Sequence, residues 1–117
     1  MKNMKDSIEK SFLTSAEEIK KAASLSKVIE NAITEIINCL ERGKKIIIFG
    51  NGGSAADAQH IAAEFIGRFE IERESYPALA LSTDSSVLTS ISNDYSYDVI
   101  FSRQCESLVS QGDVVIG

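Results

Sequence analysis

The spacing of hydrophobic residues changes at about residue 44 of the chain. Over residues 3–23 apolar positions recur broadly every three or four residues among lysines and glutamates, and over residues 25–40 this spacing is much more regular. The period predicts two amphipathic helices, the second capped by Ser24 or Ser26 and ending near Gly43. Their apolar surface exceeds what a small sheet needs, so we expect one stripe to pack against another subunit. The alternative is that both stripes pack on their own sheet.

After residue 44 the chain alternates short apolar runs with helical segments. Strands are expected at 46–49, 78–81 and 114–116, and helices between them at 55–65, 87–91 and 100–109. We expect residues 70–75 to form a loop and Ser92-Asn93-Asp94-Tyr95 to form a turn. This order predicts an α/β fold with a parallel sheet flanked by helices, in which the first strand is buried on both faces.

A glycine-rich loop joins the first expected strand to the next helix. Three of the four residues Gly50-Asn51-Gly52-Gly53 are glycines, and Ser54 is expected to cap the helix that follows. A junction of this kind offers free N–H groups and the positive end of a helix dipole, so it favours an anion such as a phosphate. The alternative is that the glycines only make a tight connection.

The same helix places an imidazole beside a carboxylate. His60 and Glu64 are four residues apart, and Asp57 lies on nearly the same face. Such a pair can bind a metal or move protons, although an ordinary surface pair is the alternative. The adjacent stripe, expected to face the sheet, consists of Ala58, Ile61, Ala62 and Phe65.

Length and charge restrict the classes of function. The 117 residues have room for one domain, and a formal net charge of −5 without a basic cluster argues against nucleic acid and anionic membranes as partners. No apolar run is long enough to span a bilayer, and the first ten residues lack the core of a signal peptide. We therefore expect a cytoplasmic protein, in which Cys39 and Cys105 are free thiols.

Several motifs, taken in order, resemble one known family over nearly the whole chain. They are residues 50–60, Ala63-Glu64, Gly67-Arg68, Tyr76-Pro77-Ala78, Ser92-Asn93-Asp94-Tyr95, residues 100–104 and Gly112-Asp113-Val114. Together they resemble the phosphoheptose isomerases, which have the three-layer SIS (sugar isomerase) fold. The resemblance is most specific in the middle of the chain.

The resemblance implies an enzyme that interconverts sedoheptulose 7-phosphate and D-glycero-D-manno-heptose 7-phosphate through a metal-assisted enediol. This is the first step towards the nucleotide-activated heptose of bacterial lipopolysaccharide. It also implies a cytoplasmic homotetramer with one zinc ion per subunit. By resemblance, His60 and Glu64 are metal ligands, and Glu64 is also the catalytic base and a substrate contact. The remaining substrate-binding residues carried over are Asn51, Gly52, Gly53, Ser54, Arg68, Asn93 and Asp94, with Arg68 reaching across a subunit boundary.

The family continues beyond the position of Gly117 with a Ser/Thr-rich phosphate loop and a late helix that carries a Gln and a His. We therefore expect residues 1–117 to be the first part of a single SIS domain, ending after its third strand. Residues 1–42 would form an oligomer-forming helical pair, and the missing segment would supply the remaining zinc ligands. On its own, the chain would bind zinc weakly and show little catalysis.

Two other functions are compatible with the glycine loop. Some SIS relatives bind phosphosugars or act as replication-initiation adaptors without catalysis; in the adaptors the position of Glu64 is not acidic, so Glu64 favours the enzyme. A dinucleotide site is the second alternative, because residues 50–55 fit a loose G-x-G-x-x-A pattern. Its candidate ribose-binding acid, Asp84, lies about 30 residues beyond the loop rather than about 20, which argues against this function.

Overall fold

The computed structural model describes residues 3–117, which divide into two compact units at Thr34 and Glu35. The helices are α1 (Met4–Ala22), α2 (Ser26–Glu41), α3 (Gly53–Ile66), α4 (Ser85–Asp94) and α5 (Ile100–Leu108), with 3₁₀ turns at Ala23–Leu25 and Tyr97–Val99. The strands are β1 (Ile46–Ile48), β2 (Ala78–Ala80) and β3 (Val114–Ile116). The helix and strand positions predicted from the hydrophobic pattern are confirmed to within a few residues, except at α4.

The first unit, described from residue 3 to residue 34, is helical from Met4 onwards. Asn3 caps α1 through a hydrogen bond from the Lys5 N–H to its side-chain oxygen (3.1 Å). The predicted N-cap at Ser24 or Ser26 is wrong. Ser24 lies inside the 3₁₀ turn that leads from α1 to α2, and Ser26 has helical backbone angles (φ −52°, ψ −38°). Apolar side chains in this unit are exposed, among them Met4, Phe12 and Ile19.

The second unit, residues 35–117, is built on a parallel sheet with strand order β2-β1-β3. Ile47 of β1 pairs with Leu79 of β2 and with Val115 of β3. All three residues of β1 are buried, which confirms a central strand covered on both faces. On one face the core contains Cys39, Ile46, Ile48, Ala58, Ala62, Ala78 and Ala80. The predicted α/β fold with a parallel sheet flanked by helices is confirmed.

The face of α3 that meets the sheet differs in one position from the prediction. Ala58 and Ala62 are buried and Phe65 packs against the core, as expected. Ile61 was expected to face the sheet and instead keeps 42% of its surface exposed. Small residues at positions 58 and 62 bring α3 close to the sheet, so the contact stripe is narrower than the four-residue pattern indicated.

A buried carboxylate joins β1 to β3 at the edge of the sheet where the strands begin. Asp113 Oδ2 accepts from Lys45 Nζ (2.6 Å) and from the Ser110 N–H (2.7 Å), while Oδ1 accepts from the Lys45 N–H (3.1 Å). Burial of Asp113 alone would raise its pKa. The hydrogen bonds from Lys45 and Ser110 and the charge of Lys45 outweigh burial and lower the pKa to about 2 from 3.8.

Helix α4 is longer than the predicted helix at 87–91. It begins after Asp84, whose side chain accepts from the Val87 N–H (3.0 Å), and it continues through Asp94. The predicted turn at Ser92-Asn93-Asp94-Tyr95 is therefore wrong for its first three residues. The Ser92 hydroxyl donates to the Leu88 carbonyl one turn earlier (2.7 Å). With its side chain bonded in this way, Ser92 continues the helix and does not end it.

Helix α5 is fixed to the sheet by a buried amide. Gln104 Nε2 donates to the carbonyl oxygens of Leu81 (3.0 Å) and Ile100 (2.9 Å). Leu81 directly follows β2, so this contact holds α5 near the carboxyl ends of the strands. Among residues 3–117, no helix combines the length and the apolar character that crossing a membrane requires.

Candidate functional site

The loop after β1 forms an open backbone turn. Gly52 has φ 57° and ψ −122° and is the N-cap of α3, so the predicted cap at Ser54 is wrong. Ser54 lies instead in the first helical turn, because only the glycine adopts the positive φ that this entry requires. A Cβ at Gly50 would come within 2.6 Å of the Ser54 Cβ, whereas Gly52 and Gly53 face open space.

This loop presents donors that the rest of the fold leaves free. Within residues 3–117 the backbone N–H groups of Asn51, Gly52 and Gly53 have no hydrogen-bond partner, while those of Ser54 and Ala55 donate to the Asn51 and Gly52 carbonyls. The three free groups stand at the N-terminus of α3, where the helix dipole adds positive potential. The geometry suits an anionic group of about phosphate size.

Two turns further along α3, His60 and Glu64 form the expected pair. His60 Nε2 lies 3.3 Å from Glu64 Oε1, and the two side chains are 75% and 36% exposed. Within the described residues Asp57 makes no hydrogen bond or ion pair with either of them. The pair is therefore accessible to a ligand and is not buried in the core.

His60 and Glu64 line one side of an apolar groove that the sequence did not predict. The groove has a volume of about 480 Å³, and its other walls are Ile61, Phe65, Phe69, Ile71, Arg73 and Tyr76. Arg73 is held in this lining by two contacts: its guanidinium donates to the Glu64 carbonyl (2.6 Å) and lies 4.6 Å from the centre of the Tyr76 ring. The exposed position of Ile61 is explained by its place in this wall.

Three other candidate residues are present but stand apart from this pair. Arg68 Nε lies 3.7 Å from Glu72 Oε2, and Asn93 Nδ2 donates to Asp94 Oδ1 (3.4 Å). All three are exposed, and over residues 3–117 no hydrogen bond links any of them to the glycine loop or to His60 and Glu64. The structure thus brings together the loop and α3 but leaves Arg68, Asn93 and Asp94 unconnected.

The 3₁₀ turn before α5 contacts the glycine loop directly. The Tyr97 hydroxyl donates to Asn51 Oδ1 at 2.6 Å. One turn later, Phe101 stacks on Phe49 with ring centres 4.6 Å apart. Sequence reasoning missed Tyr97, although the four-residue spacing of Tyr97 and Phe101 indicated two aromatic side chains on one face.

The model of the SIS domain family matches residues 1–117. The chain belongs to the SIS domain family. Among its relatives is a phosphoheptose isomerase from Clostridium acetobutylicum, 47% identical over 117 residues, which are all of this chain and 60% of the relative. Another, from Citrifermentans bemidjiense, is 54% identical over 93 residues, covering 80% of this chain and 48% of the relative. The chain thus spans roughly half the length of these curated relatives.

A solved structure agrees with the sequence matches. The phosphoheptose isomerase from Neisseria gonorrhoeae superposes with a TM-score of 0.90 at 39% identity, covering 98% of this chain and 60% of that one. The SIS-type fold expected from the motifs is therefore confirmed. The structure also argues against a dinucleotide site, because Asp84, the candidate ribose-binding acid, serves as the N-cap of α4.

The donor set of this SIS domain suits a metal only in part. An imidazole nitrogen and a carboxylate oxygen are ordinary zinc ligands, and His60 and Glu64 present one of each on adjacent turns. A protein zinc site usually has three or four protein ligands, whereas no group of three or more His, Cys, Asp or Glu residues converges within residues 3–117. The residues present therefore fit zinc as half of a ligand set.

Proposed function

We propose that this chain is part of a phosphoheptose isomerase that interconverts sedoheptulose 7-phosphate and D-glycero-D-manno-heptose 7-phosphate. The observation that carries the proposal is the exposed His60–Glu64 pair, 3.3 Å apart, on the helix that begins at the open glycine loop. The relatives named phosphoheptose isomerase support the choice of substrate. The product would enter the synthesis of nucleotide-activated heptose for lipopolysaccharide in the bacterial cytoplasm.

In this proposal the glycine loop binds the ionic end of the ligand. The free N–H groups of Asn51, Gly52 and Gly53 donate to oxygens of the phosphosugar, and the Ser54 hydroxyl lies in the adjacent turn. Because Gly52 and Gly53 carry no Cβ, a ligand can approach the main chain closely. Binding energy from these contacts positions the reacting carbons, which is how a remote phosphate contributes to catalysis.

Glu64 is the proposed catalytic base. Aldose–ketose isomerisation moves a proton between neighbouring carbons through an enediol, so it requires a carboxylate held beside those carbons. Glu64 is half-buried at the groove, its backbone is held by Arg73, and its side chain faces His60. His60 and Glu64 would hold zinc as two of its ligands. When bound, zinc would polarise the oxygens of the sugar.

The remaining assignments concern the walls of the site and the assembly. We assign Asn93 and Asp94 to the substrate site and Arg68 to the site of a neighbouring subunit. All three are exposed, which leaves them accessible for such contacts. A homotetramer is proposed with the helical segment 1–42 at its interface. The exposed apolar side chains of α1, which water would otherwise contact, support this role.

The test uses a longer protein in which these 117 residues are continued by the C-terminal segment of the Clostridium acetobutylicum relative, which matches the whole of this chain. Conversion of sedoheptulose 7-phosphate should be abolished by Glu64→Gln while the substrate still binds, and zinc content should fall in His60→Ala. Glu106→Gln, at an exposed carboxylate on α5, is the matched control and should be fully active.

Normal turnover by Glu64→Gln would refute the assignment of the base. Binding of the phosphosugar without turnover by the unmutated longer protein would favour the alternative of a non-catalytic SIS protein. Retention of zinc by the His60→Ala variant at the level of the unmutated protein would remove His60 from the ligand set.

A further inference from the structure

The side chain of Asn51 has an acceptor and two donors, and the fold uses only the acceptor. Asn51 Oδ1 accepts the Tyr97 hydroxyl at 2.6 Å. Because an amide oxygen carries no proton, the phenol must be the donor. Within residues 3–117 the Asn51 Nδ2 group has no hydrogen-bond partner, and Asn51 is exposed. With Oδ1 turned towards Tyr97, the two N–H groups of the amide are left free for another acceptor.

We propose that Tyr97 is a positioning residue that orients the Asn51 amide so that its N–H groups donate to an oxygen of the phosphosugar. The inference rests on the proposed function for the identity of the ligand. With the amide turned the other way, its oxygen would face the ligand and would repel the oxygens of a phosphate. Tyr97 thereby adds a side-chain donor to the backbone donors of the glycine loop.

A second contact shows that the segment carrying Tyr97 is held in place for this role. Phe101, on the first turn of α5, stacks on Phe49, with the ring planes 26° apart. Phe49 and Asn51 are the residues on either side of Gly50. Phe101 contacts the first and Tyr97 contacts the second, so one segment holds the loop on both sides of Gly50. The backbone positions from which Tyr97 and Asn51 meet are therefore tied to each other by a second contact.

The start of the 3₁₀ turn is fixed as well. The Ser96 hydroxyl accepts from the Asp98 N–H (3.1 Å), and the Ser96 carbonyl accepts from the Val99 N–H (3.3 Å). These local bonds set the direction in which the chain enters α5. The Tyr97 hydroxyl therefore reaches Asn51 from a preformed turn and needs little ordering to make the bond.

The first test is binding of sedoheptulose 7-phosphate by the longer protein described above, measured by titration calorimetry. Tyr97→Phe removes one hydroxyl, and we expect the dissociation constant to rise about 3- to 10-fold, the range for one lost hydrogen bond. Tyr95→Phe is the matched control, because the Tyr95 hydroxyl accepts from Arg103 (3.1 Å) and not from the loop; its affinity should stay within about twofold.

A double-mutant cycle separates positioning from a direct or purely structural role. In an Asn51→Ala background Tyr97 has no amide to orient, so Tyr97→Phe should then have no further effect on affinity. Asn51→Asp keeps an acceptor for Tyr97 but removes both donors, and it should bind more weakly than Tyr97→Phe. Equal effects of Tyr97→Phe in both backgrounds, or full affinity of Asn51→Asp, would overturn the proposal.

A second measurement does not depend on the proposed function. In the 117-residue chain without ligand, the side-chain amide of Asn51 should show a high NMR order parameter that falls in Tyr97→Phe but not in Tyr95→Phe. An unchanged order parameter would refute the positioning role, even if the phosphosugar bound. If the longer protein failed to bind the phosphosugar, the proposed function would fail, and this measurement alone would decide the role of Tyr97.

Discussion

Replacing Asp113 by Asn should destabilise the fold by about 2 kcal/mol at pH 7. The pKa of Asp113 lies near 2 instead of 3.8, and about 1.4 kcal/mol per pKa unit gives a contribution of roughly 2 kcal/mol from the ionised carboxylate. Lys45 keeps 32% of its side chain exposed, so solvent screens the ion pair and lowers this figure. In the variant, however, an amide N–H₂ must face the N–H of Ser110 or the ammonium of Lys45, and this contact between two donors adds to the destabilisation.

The stabilising effect of the Asp113 carboxylate should depend on pH in a defined direction. Because the pKa is lower in the folded protein, the carboxylate stabilises the fold fully above about pH 4 and loses this effect as the pH falls towards 2. Urea unfolding followed by circular dichroism should show a midpoint about 1 M lower for Asp113→Asn at pH 7, and the difference should shrink below pH 4.

Asp98→Asn is the control for this experiment. Asp98 is exposed, and its carboxylate makes no hydrogen bond or ion pair within residues 3–117, so the midpoint should not change. Equal stability of Asp113→Asn and the unmutated chain at pH 7 would refute the reasoning. So would a difference that stays constant from pH 7 to pH 2, because the ionised state would then not be its cause.

Three further predictions concern the site and its support. Gly50→Ala should destabilise the chain by about 1–3 kcal/mol, since the new Cβ would lie 2.6 Å from Ser54; Gly53→Ala, which faces open space, should leave urea stability unchanged but weaken phosphosugar binding. Gln104→Ala should cost about 2–3 kcal/mol in urea unfolding, because it leaves a buried carbonyl unpaired. The 117-residue chain should bind zinc only weakly in a competition assay with a chelating dye, and His60→Ala should remove that binding.

The local pattern was sufficient to predict most elements of this fold. Short apolar runs between helical segments gave the strands. Gly43, two residues after α2, has a positive φ near the position where the sequence predicted the helix to end. The His60–Glu64 pair followed from helical spacing alone, because residues four apart on one helix are neighbours whatever the rest of the chain does. These predictions depend only on interactions within a few residues.

The features that were predicted wrongly, or not predicted, are those that depend on backbone angles or on residues far away in the sequence. Ser54 is a better cap than glycine by residue preference, yet the loop enters α3 at a positive φ, which gives the cap to Gly52. The Asp113–Lys45 contact joins positions 68 residues apart, and the Tyr97–Asn51 bond spans 46. No periodicity in the sequence reports such pairs, since each depends on the sheet having already formed.

The contacts around the glycine loop show why its sequence alone is a weak indicator of function. The same glycine pattern fits a phosphosugar site, a dinucleotide site and a plain turn, because it specifies flexibility rather than a shape. In this chain the shape comes from outside the loop: Phe101 holds Phe49 before it, Tyr97 holds Asn51 within it, and Gly52 sets the direction of α3. That direction determines where His60 and Glu64 stand relative to the free N–H groups. A substitution at Tyr97 or Phe101 should therefore alter ligand binding although no residue that contacts the ligand is replaced.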